Sequence, residues 1–310
     1  MRIAFTGKGG SGKTTISSLF ARQMALDGHT VLALDADINQ HLAEALEAPG
    51  VIKSMGEHFD EIKTHLAGTN THFAVQEMHK TTPPGRGSNF VRLNENDWFV
   101  QEFTQKAASG VRIAGAGEIP EGNVGVRCYH GLNGAVELAL GHMLDTEDDV
   151  VVVDMTAGAD AFSSSLFTKV DALVLVVEPS LKSLSVFEQF RPHAAAHGVP
   201  LLVVGNKIET DEDRRFVEDK VGMLTACFGS SSYVKRRERG QVVAFEELDS
   251  TMVNGLRQLH GAVATAGRDW RELERRSHMM HRRNVHYLTG AGVDGHIDKA
   301  FSLAELAADD

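Results

Sequence analysis

The 310 residues are 42 % hydrophobic and 24 % charged, which excludes a disordered chain and supplies enough apolar surface for a large core. A net charge of −11 argues against broad nucleic-acid binding, and no apolar run is long enough to span a bilayer. Two cysteines, Cys128 and Cys227, exclude a disulfide framework; with no signal peptide before the first strand, a reducing, cytoplasmic setting is expected.

The chain starts with an apolar stretch, Arg2-Ile3-Ala4-Phe5-Thr6, read as a buried parallel strand. Gly7 to Thr14 then fits G-x-x-x-x-G-K-[ST], a phosphate-binding loop, and the next residues place Ile16, Leu19, Phe20 and Met24 at helical spacing. A strand before and a helix after are the context that the motif requires. Gly7, Gly9, Gly10 and Gly12 let the backbone wrap closely and aim N–H groups at phosphate oxygens, with Ser11 and Thr15 in the same cradle. The helix N-terminus adds positive potential at the same point. Lys13 is expected to bridge the β- and γ-phosphates, and the Thr14 hydroxyl to complete a Mg²⁺ shell.

A second buried strand is expected at Val31–Asp35, a third near 111–114, and the strongest at 149–154, where four valines lie between two aspartates. Two more follow at 172–177 and 201–204, with helical segments at 134–144, 181–197 and 211–221 between them. This alternation predicts an α/β fold, a doubly wound and mostly parallel sheet with helices on both faces. The expected organisation is one domain over 1–254 with an insertion at about 50–110, and a helical C-terminal extension over 255–310. The insertion carries Thr81-Thr82-Pro83-Pro84-Gly85, a loop, and histidines every seventh position from His58 to His79; the break at Gly68-Thr69-Asn70 keeps one helix from aligning them. The basic stretch Arg268–Arg283 is threaded with acids and reads as a solvated helix face, with a DNA or partner contact as the alternative.

Carboxylates stand where a nucleotide machine needs them. Asp35 and Asp37 follow the second strand; Asp37 is the candidate for orienting an attacking water, and Asp35 is placed nearer the Mg²⁺ or in a structural role. Asp154 ends the strongest strand, the position of an aspartate that holds Mg²⁺, and Ala157-Gly158 after it could sense the γ-phosphate. Asn206 and Lys207 end the sixth strand, with Asn206 placed to bond a purine base, helped by the loop Phe228-Gly229-Ser230-Ser231. Guanine readers offer an aspartate where this chain has Glu209, which favours ATP. Cys227 is expected just after a strand at 223–226.

Taken together, the motifs resemble the deviant Walker A ATPases, the group of MinD, ParA and the nitrogenase iron protein. The shared signature K-G-G-x-G-K-[ST] stands here from Lys8 to Thr14. The resemblance implies that Lys8 reaches across a nucleotide-bound homodimer to the partner's phosphates, supplying charge in trans as an arginine finger does. Within the group, the stretches beginning at Asp35 and Asp154, Val177-Glu178-Pro179-Ser180, and Gly205-Asn206-Lys207 are similar to those of the CooC-type carbon monoxide dehydrogenase maturation ATPases. The similarity covers residues 1–45 and roughly 110–245. That branch carries C-x-C where this chain has Cys128-Tyr129-His130, and two chains there share one metal. Two copies of Cys128 and His130 would make a Cys₂His₂ set suited to Zn²⁺ and open to Ni²⁺; an ordinary cysteine beside a surface histidine is the other reading.

The sequence thus points to an ATPase using ATP and Mg²⁺, dimerising on ATP and acting on a client protein or metalloenzyme. A MinD/ParA-type positioning ATPase and an ATP-dependent small-molecule synthetase or kinase are the alternatives. Membrane attachment is not expected of a tail ending in acids, and nucleic acid is not an expected partner.

Overall fold

The computed structural model describes residues 1–118, 129–290 and 296–309, with the backbone alone for Tyr129, His130 and Asp309. Its eight strands are β1 (Arg2–Gly7), β2 (Thr30–Ala36), β3 (Gln105–Lys106), β4 (Arg112–Gly115), β5 (Asp149–Met155), β6 (Ala172–Val177), β7 (Leu201–Asn206) and β8 (Ala226–Phe228). They form one sheet in the order β3-β4-β2-β5-β1-β6-β7-β8. Every pairing is parallel except that of β3, which runs antiparallel to β4 at the edge.

Both faces of the sheet are covered, which is why the central strands read as nearly unbroken apolar runs. Side chains still alternate by the strand period of two. Ala4, Val151, Val153, Leu173 and Leu175 point into one core layer. Ile3, Phe5, Val150, Val152, Val174 and Val176 point into the other. The helices are α1 (Lys13–Leu26), α2 (Leu42–Ala45), α3 (Phe59–Ala67), α4 (Trp98–Phe103), α5 (Tyr129–Gly141), α6 (Leu181–Ala196), α7 (Asp211–Val221), α8 (Ser232–Glu238), α9 (Ser250–Ala266), α10 (Trp270–Thr289) and α11 (Leu303–Asp309). Helices α3, α4, α5 and α6 fill the first layer through Ile62, Phe99, Leu138 and Phe190. Helices α1, α2, α8 and α9 fill the second through Phe20, Leu42, Tyr233 and Leu256. No described helix is long and apolar enough to cross a membrane.

Several expectations change in detail. Residues 50–110 contain α3, α4 and β3, and their Met55, Ile62, Phe73, Val91 and Phe103 are buried in the same core layer as β5 and β6. The boundary expected at 254/255 falls inside α9, whose Leu256, Leu259 and Val263 are buried over the sheet. The strand expected at 223–226 lies instead at Ala226–Phe228, with Cys227 inside it; Met223 is 89 % exposed. Helix formation over 268–283 is as expected, but its basic residues are not all solvated. Arg276 is buried, and Arg268 pairs with Asp145 at 2.6 Å and Asp171 at 2.8 Å. The four evenly spaced histidines go separate ways: His65 stacks on Trp98, and His72 lies 3.0 Å from Asp298.

A candidate nucleotide-binding site at the carboxyl ends of the strands

In open parallel sheets, ligands bind beyond the carboxyl ends of strands where the connections change direction. Here β1 leads through α1 to β2 on one side, while β6 lies on its other side. The ends of β1, β2, β5, β6 and β7 therefore converge, and those of β1, β2, β5 and β7 deliver the candidate residues.

The loop leaves β1 at Gly7 and enters α1 at Lys13. Gly7 lies so close to β6 that a Cβ there would sit 2.5 Å from the Val176 carbonyl oxygen. Gly12 adopts φ +90°, and a Cβ there would run into the Asn206 amide. At Gly9 and Gly10 a Cβ would meet nothing, so that side of the loop is open. Ser11 Oγ is buried without a hydrogen-bond partner. Thr15 stands on the first turn of α1 and lines a cavity of about 400 Å³ with Ser18, Arg22, His41 and Tyr233.

Lys13 is buried and pairs with Asp37, with Asp154 Oδ1 3.5 Å away. Burial pulls the Lys13 ammonium down, but the Asp154 and Asp37 charges outweigh it and leave the group above its ordinary value. The Thr14 hydroxyl donates to Asp154 Oδ2 at 2.6 Å. Asp154 is fully buried, and burial raises its carboxyl to about 6 against the pull of Lys13 and Thr14. Its Oδ1 accepts no hydrogen bond. A buried carboxylate oxygen whose nearest donor is the Lys13 ammonium at 3.5 Å, beside a threonine hydroxyl, is a donor set that fits a hard divalent cation.

Asp35 differs from the other carboxylates. Its Oδ2 accepts from the Leu42 amide at 2.8 Å, and its Oδ1 from the Asp37 amide at 3.1 Å and Gln40 Nε2 at 3.2 Å. Both oxygens serve the loop after β2. Burial first, then the neighbouring Asp154 charge across the β2–β5 register, raises its carboxyl to about 7. Asn206 Nδ2 donates to the Ser11 carbonyl at 2.8 Å and braces the phosphate loop. Lys207 Nζ donates to the Gly10 carbonyl at 2.8 Å.

Lys8 is half-buried and pairs within its own chain with Glu178 at 3.2 Å. The sequence reading gave Glu178 no role. The available signal was a glutamate following an apolar strand, because the carboxyl ends of the parallel strands share one edge. Cys128 lies outside the described residues, as does the side chain of His130. Among the described residues, no group of three His, Cys, Asp or Glu side chains is arranged to hold a metal ion.

A phosphate loop between β1 and α1, opposite an aspartate ending a neighbouring strand, defines a P-loop nucleotide-binding domain. The chain belongs to the CobQ/CobB/MinD/ParA nucleotide-binding domain family, whose pattern matches residues 3–268. It is 31 % identical over 222 residues to the carbon monoxide dehydrogenase accessory protein CooC of Rhodospirillum rubrum, covering 71 % of this chain and 79 % of that one. It is 29 % identical over 221 residues to an uncharacterized ATP-binding protein of Methanocaldococcus jannaschii, with 71 % and 79 % covered. The fold matches MinD in the MinC:MinD cell division complex of Aquifex aeolicus, with a TM-score of 0.56 at 18 % identity over 84 % of this chain and 96 % of that one. It also matches a ParA family ATPase of Chlorobium tepidum, with a TM-score of 0.54 at 14 % identity over 83 % and 98 %.

Proposed function

We propose that this protein is an ATP-hydrolysing switch that closes two copies of itself around bound nucleotide and uses the cycle to mature a client enzyme or deliver a metal to it. The observation that carries the reading is the convergence of Lys13, Thr14, Asp37 and Asp154 beside the phosphate loop. The similarity to a carbon monoxide dehydrogenase accessory protein supports the choice of client.

In this reading the backbone from Gly9 to Thr15 cradles the phosphates, and Lys13 binds the β- and γ-phosphate oxygens. Phosphate then competes with Asp37 for the Lys13 ammonium, and the released carboxylate orients the attacking water. Thr14 and Asp154 would hold a magnesium ion, which would supply neutralisation of phosphate charge. Lys8 adds charge at the partner's nucleotide. Cys128 and His130 from two copies would hold the Zn²⁺ or Ni²⁺ cargo. ATP is favoured over GTP by Glu209, one methylene longer than the aspartate that guanine recognition uses. A positioning ATPase on DNA is disfavoured, since within the candidate basic face Arg276 is buried and Arg268 is engaged by Asp145 and Asp171.

Metal content per chain, measured by elemental analysis of tag-free protein purified without chelator, tests the delivery role. About half a Zn²⁺ or Ni²⁺ per chain, lost in Cys128→Ser, is the expected result for an ion bridging two copies. No bound metal, even with Zn²⁺ or Ni²⁺ and ATP added, would overturn delivery and leave a switch that acts through partner contacts.

A further inference from the structure

Two lysines and one carboxylate meet beside the open side of the phosphate loop. Glu178 follows directly on β6, and its side chain is 17 % exposed. Its Oε1 accepts from Lys8 Nζ at 3.2 Å and from the Ser180 hydroxyl at 3.3 Å, and its Oε2 accepts from Lys207 Nζ at 3.0 Å. The Glu178 amide donates to Ser183 Oγ at 3.0 Å, which ties the backbone at Glu178 to the first turn of α6. Lys207 adopts φ +60°, a backbone region costly for a residue with a Cβ. Its ammonium bonds both the Gly10 carbonyl and Glu178, so the strained residue clamps the carboxylate to the loop.

This arrangement assigns Lys8 a partner in its own chain. A lysine that serves a second copy must leave that partner first. We infer that Glu178 is a positioning residue that parks Lys8 in cis, and that ATP-driven pairing of two copies exchanges the Lys8–Glu178 contact for a Lys8–phosphate contact across the interface. The inference rests on the trans role proposed for Lys8. Its strength is bounded by exposure. Lys8 is 33 % exposed, and ion pairs so open to water contribute up to about 1 kcal/mol, a factor of about five in an equilibrium constant. Glu178 is therefore a brake that nucleotide overcomes rather than a lock, and salt weakens it. Releasing Glu178 leaves Lys207 with the Gly10 carbonyl, so the loop keeps one of its braces.

The test measures dimer dissociation constants by analytical ultracentrifugation with a slowly hydrolysed ATP analogue and Mg²⁺, for wild type, Glu178→Gln, Lys8→Ala and the double variant. Affinity of the monomer for the analogue is measured alongside, at dilution. Glu178→Gln is expected to tighten the dimer about two- to fivefold without moving monomer nucleotide affinity, with the gain shrinking in high salt. Glu178→Asp, which keeps the charge, is expected to fall between Gln and wild type. In the Lys8→Ala background the Glu178→Gln gain is expected to vanish. A Glu178→Gln dimer no tighter than wild type, in a protein where Lys8→Ala weakens pairing, overturns the brake and leaves the trans lysine standing. Pairing unaffected by Lys8→Ala overturns both. A loss of monomer nucleotide affinity in Glu178→Gln would make Glu178 a loop support, which also overturns the brake.

Discussion

At the scale of single residues, the site depends on close approach. Gly12 combines a left-handed backbone with direct contact to the Asn206 amide, so any side chain both strains the loop and displaces its brace. Gly12→Ala is expected to weaken ATP binding more than about tenfold in calorimetric titration while the protein stays folded, since the strain is confined to the loop. Away from the site, Lys169 is fully buried, donates to Ser277 Oγ at 2.7 Å, and has its ammonium pulled by burial to about 8 against the attraction of Glu137. The sign follows from linkage. Between about 8 and the ordinary value of 10.5, the unfolded chain holds a proton that the folded chain has released, so this group's contribution to stability rises with pH. Urea unfolding of wild type against Lys169→Met is expected to shift by about 2–3 kcal/mol in favour of wild type between pH 7 and pH 10.

At the scale of elements, the end of the sheet opposite the nucleotide site is held by charge. Arg2 at the start of β1 is buried, bonds Asp145 through Nε at 2.9 Å, and lies over the Trp270 ring. Arg268, just before α10, reaches the same Asp145 and also Asp171 at the start of β6. Burial raises the Asp145 carboxyl, but Arg2 and Arg268 overcome it and hold the group below the usual range. Removing the shared carboxylate leaves the buried Arg2 guanidinium without its carboxylate and Arg268 with Asp171 alone. Asp145→Ala is expected to lower unfolding free energy by about 3 kcal/mol, measured by urea titration. None of this network was legible in the sequence, where the partners stand 97 or more residues apart and Arg268 reads as one more surface charge. What was legible follows from period and burial. The β6 strand at 172–177 and α7 at 211–221 lie where the apolar runs and the strand–helix alternation placed them, because a central strand must be apolar on both faces. β3 has two residues and no period to read, and β8 slid by three positions because Met223 and Leu224 look like a strand while only Leu224 is buried. α3 shows apolar Phe59, Ile62 and Leu66 at helical spacing, but lies inside a stretch dominated by loop residues. In the candidate site, Lys13, Thr14 and Asp154 were readable because one motif and one strand end fix them. The cis contact of Lys8 was not, because it depends on how far β6 runs beside β1.

At the scale of the whole molecule, the sheet places every candidate phosphate-binding and charge-bearing group on one edge, around an open loop. Lys13, Asp37 and Asp154 lie together in one chain, and Lys8 is the group whose proposed role needs a second copy. That dependence on a partner is the central claim. It is tested most directly by the rate of ATP hydrolysis per chain across a wide range of protein concentration, for wild type and Lys8→Ala. The wild-type rate per chain is expected to climb with concentration and the Lys8→Ala rate to stay low throughout, lower than wild type by about a hundredfold or more where wild type is paired, as loss of a trans-acting cation would cause. Hydrolysis by Lys8→Ala at the wild-type rate, or a wild-type rate per chain independent of concentration, would contradict it.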